Sequence, residues 1–272
     1  REMVAIIQGR DPALVEDVIL GCAIPEAKQG LNPARLVAAR AGLPYTACGL
    51  TVDRFCSSSL QAVALAAWQI EAGQADCIVA GGIESMTALP MTLDRSGDMD
   101  PWLLEHDPAQ YISNGETAEN VAEKYNVTRE EMDRLALESH RKAAAAQAAG
   151  RFDEQMIPVT VPGKRGKTTV VDRDECVRPE STMETLGSLP TAFEPDGVCT
   201  AGNSSPMSDG AGAWCLWIGR RRRKRYRSHW RCSGGLRLPA VTPASWGSAR
   251  WRPSGRCCAR PASPWRRWIS SS

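Results

Sequence analysis

The chain has 272 residues, 43% of them hydrophobic and 24% charged, enough to build a core in one large or two modest domains. A net charge of +2 hides an asymmetry: 18 basic and 31 acidic groups precede residue 220, and from Arg220 onward there are 14 Arg, one Lys and no acid. No apolar run nears the roughly 18 residues of a membrane span, no leader pattern opens the chain, and the ten cysteines hold no Cys-x-x-Cys pair, so a membrane partner, a zinc site and a secreted disulfide framework are not expected and a reducing cytoplasm is.

Arg1 opens the chain where Met would be usual, which predicts a start inside a longer protein. Asp17-Val-Ile-Leu-Gly-Cys-Ala reads as a short strand and turn. Gln29-Gly-Leu-Asn-Pro-Ala-Arg opens a helix running to about Ala41, with Asn32 as N-cap and Pro33 in the first helical position.

Leu50 to Phe55 reads as an apolar strand that runs straight into a helix beginning just after Cys56. Ser57, Ser58 and Ser59 are helix-start residues whose hydroxyls can accept from open N–H groups. From Leu60 to Ala72 only Gln61, Gln69 and Glu71 are polar, which predicts a helix buried nearly all round. A cysteine at such a junction meets the positive end of a helix, where the thiolate is favoured and the sulfur becomes a usable nucleophile. The sharp turn would also expose the sulfur, as in the serine elbow of hydrolases. The alternative is a buried structural cysteine.

Cys77-Ile-Val-Ala is a continuous apolar run of strand length, which completes a βαβ unit with its functional groups at the strand C-terminal ends. Gly81-Gly82 would let backbone come close to Cys56 or its ligand, or would simply turn the chain. Residues 88–192 change character: prolines interrupt the pattern, then two helices follow. The first has Thr117 as N-cap with Glu119 and Glu123 exposed; the second pairs Thr128 with Glu131 in a capping box and ends at Gly150. His140 reads as a solvated residue of that helix. Lys164-Arg165-Gly166-Lys167 is a basic cluster on a hairpin, read as a solvated turn before a phosphate contact. Thr200-Ala-Gly-Asn-Ser-Ser-Pro-Met-Ser-Asp-Gly-Ala reads as a small-residue loop opening a helix, where a narrow ligand arm could lie on backbone.

Val52-Asp-Arg-Phe-Cys-Ser-Ser, Gln74-Ala-Asp-Cys-Ile-Val-Ala-Gly-Gly-Ile-Glu-Ser-Met, the Gly115-Glu-Thr-Ala-Glu-Asn-Val-Ala run and the Thr200 run together resemble the thiolase family, and within it the degradative 3-ketoacyl-CoA thiolases. The resemblance covers residues 12 to about 218. It implies an α/β fold: half of a thiolase fold, a mixed β-sheet between helix layers with an inserted loop domain. The implied division is a core of residues 1–87 and 193–218, a CoA-covering loop domain of 88–192, and a tail of 219–272. An earlier strand and helix of the family are not found, so one central strand of the sheet is expected to be missing.

By position, the resemblance makes Cys56 the acyl-accepting nucleophile, sets Arg178 against the adenine end of CoA, and puts Phe193, Ala201, Ser205 and Met207 along the pantetheine arm. It implies CoA and acyl-CoA as substrates, no bound cofactor, no metal, and a homodimer or homotetramer for the intact family. The reaction implied is thiolytic cleavage of a 3-ketoacyl-CoA in fatty-acid β-oxidation; a biosynthetic acetoacetyl-CoA thiolase or another condensing enzyme is the alternative. Three family motifs are not in this chain: Gly-His-Pro, Asn-Glu-Ala-Phe and Cys-x-Gly-x-Gly. The chain therefore reads as an N-terminal half, truncated at both ends and without turnover of its own. Asp53 stands where the family commonly has Asn and would add negative charge; Ser59 stands where it commonly has Gly and would crowd a tight approach. Ser113-Asn114 replaces the His-Met or Gly-Met that often precedes the Gly115 position.

From Arg220 no hydrophobic period survives, and five of the nine Trp lie in this tail. A nucleic-acid-binding arm is one reading; a disordered, out-of-frame segment is the preferred one. Trp is always TGG, and with an A before Trp246 a reading one base earlier yields Met, followed by codons that can give the Gly-Ile-Gly-Pro-Val run thiolases carry here. The expected finding is a small insertion or deletion near the codons for residues 218–224. A nucleotide read with the family run in neither alternative frame contradicts it.

Overall fold

The computed structural model describes residues 11–89, 97, 99–163 and 166–217. Its centre is a four-stranded sheet of order β2-β1-β3-β6, built from β1 (Asp17–Gly21), β2 (Cys48–Val52), β3 (Cys77–Ser85) and β6 (Asp209–Trp217). The first three strands are parallel and β6 runs antiparallel on β3. Helix α1 (Pro33–Arg40) covers one face, where Ala34 and Ala38 pack on Val18, Leu20 and Val79. Helix α2 (Ser58–Glu71) covers the other, where Ala62 and Ala66 pack on Ile19, Ile78 and Ala80. Covering on both faces explains the unbroken apolar runs of β1 and β3. This is the expected mixed sheet between helix layers.

The β2–α2–β3 crossover passes over β1, which pairs with both neighbours from Asp17 to Gly21. The strand expected to be missing therefore leaves no gap among the described residues: β1 and β3 close directly on each other. Asn32 caps α1 as the sequence predicts, accepting from the Arg35 N–H at 3.3 Å. It also fixes α1 to β2, donating to the Gly49 carbonyl at 2.9 Å and accepting from the Thr51 hydroxyl at 2.7 Å.

Several expectations are corrected. The strand before Cys56 ends at Val52, and Phe55 belongs to a turn. Helix α2 is not buried all round: Ser58, Gln61, Ala62 and Ala66 are buried, while Leu60 is 52% exposed, because only one side of the helix meets the sheet. The segment after Thr200 opens a strand, not a helix. Ala213 and Cys215 of β6 pack with the α1 side and Leu216 with the α2 side, a period of two that belongs to a strand.

Between β3 and β6 lie α3 (Pro101–His106), α4 (Asn114–Tyr125), α5 (Arg129–Ala148), the hairpin β4 (Val159–Pro162) with β5 (Thr168–Val171), and α6 (Met183–Gly187). Helix α5 has the predicted Thr128–Glu131 capping box. Helix α4 starts earlier than expected, with Ser113 as cap and Glu116 closing a capping box. Glu119 is buried rather than exposed, because the chain at Gly197 closes over its carboxylate. Its carboxylate accepts from the Val198 and Cys199 N–H groups at 2.9 Å each, and thereby ties α4 to the segment leading into β6. His140 is not simply solvated: its Nδ1 accepts from the Arg178 N–H at 3.2 Å. Lys164 and Arg165, and the tail from residue 218, lie outside the described residues.

Replacing Asn32 by Ala removes a helix cap and two ties to β2, and should lower unfolding free energy by about 2 kcal/mol. Urea denaturation of both proteins measures it; an unchanged midpoint with unchanged slope would contradict the role.

Candidate active site

The elbow between β2 and α2 is built by its own polar side chains. Asp53 accepts from the Phe55 N–H at 2.8 Å through Oδ1. Ser58 Oγ accepts from the Arg54 N–H at 2.8 Å and donates to the Phe55 carbonyl at 2.6 Å. Ser57 Oγ donates to the Arg54 carbonyl at 2.9 Å. The serines thus close the turn on itself rather than capping α2, since Ser57 at the N-cap makes no side-chain cap bond. Within this frame Phe55 takes a left-handed backbone, φ +47°, which costs a non-glycine residue about 1–3 kcal/mol. Phe55 precedes Cys56, and Cys56 is exposed. The structure thus removes the buried structural cysteine as an alternative.

Cys56 lines a cleft of about 780 Å³. One side is formed by the C-terminal end of β3 and the start of β6, including Gly82, Glu84, Gly210, Gly212 and Trp214. Ala23 and Ile24 come from the loop after β1, and Ala109, Ile112, Asn114 and Thr117 come from the segment around α4. Core and inserted helices therefore share one cleft at the strand C-terminal ends, where α/β sheets place ligands.

Glycines allow this closeness. A Cβ on Gly82 would lie 2.6 Å from Ser59 Cβ, and one on Gly21 would lie 2.3 Å from the Ser59 nitrogen. Ser59 thus fits because Gly82 faces it. Gly81 has another role than the one expected: its missing Cβ admits the Gly212 carbonyl of β6 rather than Cys56 or a ligand.

Glu84 was not singled out by the sequence, yet it organises the cleft wall. It accepts from the Ala23 N–H and from Gln29 Nε2, each at 2.6 Å. The Cys22 S–H points to it at 3.8 Å, and burial followed by this carboxylate pushes the Cys22 thiol up to about 11. Burial and then Glu119 push the Cys199 thiol likewise up to about 11. Asp133 is a third carboxylate tied into the structure and, like Glu119, buried, accepting from Arg129 Nε at 2.8 Å and from Asn203 Nδ2 at 2.9 Å. The available signal for all three was position: each falls inside or beside a motif, at a strand end or on a helix that also carries apolar residues.

The residues expected along CoA are exposed and stand outside the lining of the Cys56 cleft. Phe193 lies against Gly115 of α4, where a Cβ would come within 2.1 Å of the ring, so it adjoins the cleft residues Asn114 and Thr117. Ala201, Ser205 and Met207 lie on the exposed run between Thr200 and β6. Arg178 sits between Val177 and Pro179, which line a second cleft of about 1020 Å³ with Gln147 and Arg173. Among the described residues no three His, Cys, Asp or Glu side chains gather as a metal site, and no helix is long and apolar enough to cross a membrane.

The family described as "Thiolase, N-terminal domain" matches residues 5–218. A 3-ketoacyl-CoA thiolase of Bacillus subtilis is 47% identical over 210 residues, covering 74% of this chain and 54% of that protein. An acetyl-CoA acetyltransferase of Escherichia coli is 44% identical over 215 residues, covering 75% and 54%. The crystal structure of an acetyl-CoA acetyltransferase from Bacillus anthracis superposes with a TM-score of 0.70 at 38% identity, covering 82% of this chain and 59% of that one. The chain thus spans about half the length of the curated relatives it matches.

A methyl group at residue 82 has no room, so Gly82→Ala should force α2 off the sheet and cost about 1–3 kcal/mol. Thermal unfolding at one protein concentration checks the stability. Unchanged stability of G82A would mean that the contact with Ser59 is not limiting.

Proposed function

The chain belongs to the thiolase family, whose N-terminal domain it matches, and from that footing we propose that it carries the acyl-accepting cysteine of a 3-ketoacyl-CoA thiolase. The observation that carries the reading is the exposed Cys56 sulfur at a strained elbow, lining a cleft large enough for an acyl thioester arm.

In the proposed reaction the Cys56 thiolate attacks the keto carbon of a 3-ketoacyl-CoA. The bond between that carbon and its neighbour toward the thioester breaks, and its electron pair stays with the neighbour. That carbon takes a proton and leaves as acetyl-CoA, while the shortened acyl group remains as a thioester on Cys56. The thiolate of a second CoA then takes the acyl group and frees the sulfur. The Cys56 N–H, in the turn ahead of α2, is proposed to help hold the oxyanion.

Arg178 would meet the adenine end of CoA, and Phe193, Ala201, Ser205 and Met207 the pantetheine arm. Phe193 supports this by adjoining the cleft through Gly115. The reading favours the degradative enzymes on the motifs quoted above. A biosynthetic role is the second reading, because relatives of both names match at similar identity. The motifs absent from these 272 residues would supply the proton-handling groups, so this polypeptide alone is expected to react with alkylating agents at Cys56 but not to cleave a 3-ketoacyl-CoA.

Two measurements test the reading. Acetoacetyl-CoA cleavage by the chain should not exceed a Cys56→Ala control. Iodoacetamide on the native protein near pH 8 should label Cys56, while Cys22 and Cys199, buried and held protonated, stay unlabelled. A native labelling map that leaves Cys56 untouched would sink the proposal.

A further inference from the structure

Two motifs far apart in sequence meet beside Cys56's cleft. Gln29 opens the run that leads to the α1 cap, and Glu84 follows the glycine pair of β3. Gln29 is buried, and both ends of its amide are used. Its Nε2 donates to Glu84 Oε1 at 2.6 Å and to the Ile24 carbonyl at 2.7 Å; its Oε1 accepts from the Ser85 N–H at 2.8 Å. Glu84 Oε2 takes the Ala23 N–H at 2.6 Å. The pair therefore grips the backbone at residues 23 and 24 on one side and at residue 85 on the other. Ala23, Ile24 and Glu84 all line the cleft that Cys56 lines.

Packing alone does not call for this arrangement. A carboxylate and an amide taken from water lose hydration, and an apolar pair of similar volume would hold a loop at least as stably. What the polar pair adds is direction, because each hydrogen bond fixes one backbone group along one line. The Cys22 thiol, kept protonated beside the same carboxylate, is a further donor on that side.

We propose that Glu84 and Gln29 form a positioning pair that sets the Ala23–Ile24 wall of the cleft, and so governs how an acyl group borne on CoA is presented to the Cys56 sulfur. The inference rests on the acyl-transfer reading above. Neither side chain reacts; both act through the wall they hold.

The experiment compares two alkylating probes on Cys56 in the full chain, one small (iodoacetamide) and one carried on CoA (bromoacetyl-CoA). In the unmodified protein the CoA-borne probe should be preferred and its rate should saturate. In Glu84→Ala the ratio of the two rates should fall about tenfold, the scale of a displaced reacting group. Glu84→Gln keeps one acceptor oxygen and should lie between. Hydrogen exchange at the Ala23 amide should speed up about tenfold or more in E84A, through loss of a bond to a charged acceptor.

A preference for the CoA probe that E84A leaves intact overturns the positioning role. Absence of any such preference in the unmodified protein overturns the acyl-transfer reading instead; the wall is then judged by the Ala23 exchange alone, where an unchanged rate overturns it and a faster one supports it. If E84A does not fold, E84Q carries both readouts, and identical values to the unmodified chain overturn the inference.

Discussion

The first turn of α2 rests directly on the sheet, and the geometry of the elbow depends on that approach. Gly21 at the end of β1 and Gly82 within β3 leave no side chain between strand and helix. Any Cβ there would meet the backbone of Ser58 and Ser59 or the Ser59 side chain at distances real atoms do not reach. With the helix start pinned, the chain from Val52 has only five residues to turn. It does so by placing Phe55 in a left-handed conformation, and Cys56 emerges at the surface of the cleft.

Around this elbow, buried and half-buried polar groups fix directions that apolar packing cannot. Glu84 and Gln29 hold the loop after β1 to the end of β3. Glu119 holds α4 to Val198 and Cys199, and Asp133 with Arg129 holds α5 to Asn203, Leu186 and Leu189. The inserted helices contribute few large buried apolar residues, Leu137 and Leu186 among them. Their attachment to the core is therefore directional, through carboxylates that accept from backbone amides and side-chain donors. The cleft lies between the two regions that these bonds join.

The two departures near Cys56 are both accommodated. Asp53 accepts the Phe55 N–H through a single carboxylate oxygen, a bond for which an amide oxygen would serve equally. Ser59 sits against the hydrogen of Gly82, so its side chain occupies space that the opposite strand leaves open. Neither substitution obstructs the elbow geometrically.

Local patterns in the sequence were enough to place β1, the Asn32 cap, the α5 capping box, the βαβ unit and the cysteine at its junction, because each follows from neighbours within a few residues. Family motifs extended that reading to the sheet and its inserted helices. The sequence could not place Glu119, Glu84 or the strand β6. Glu119 is charged and reads as exposed, and only the non-local approach of Gly197, Val198 and Cys199 buries it. β6 reads as a helix start because its first half, Asp209-Gly-Ala-Gly-Ala, carries no side-chain period, and only pairing with β3 decides between strand and helix. Exposure of Cys56 was likewise a tertiary outcome: the residues of the turn permit a buried or an open sulfur, and the helix seated on Gly21 and Gly82 selects the open one.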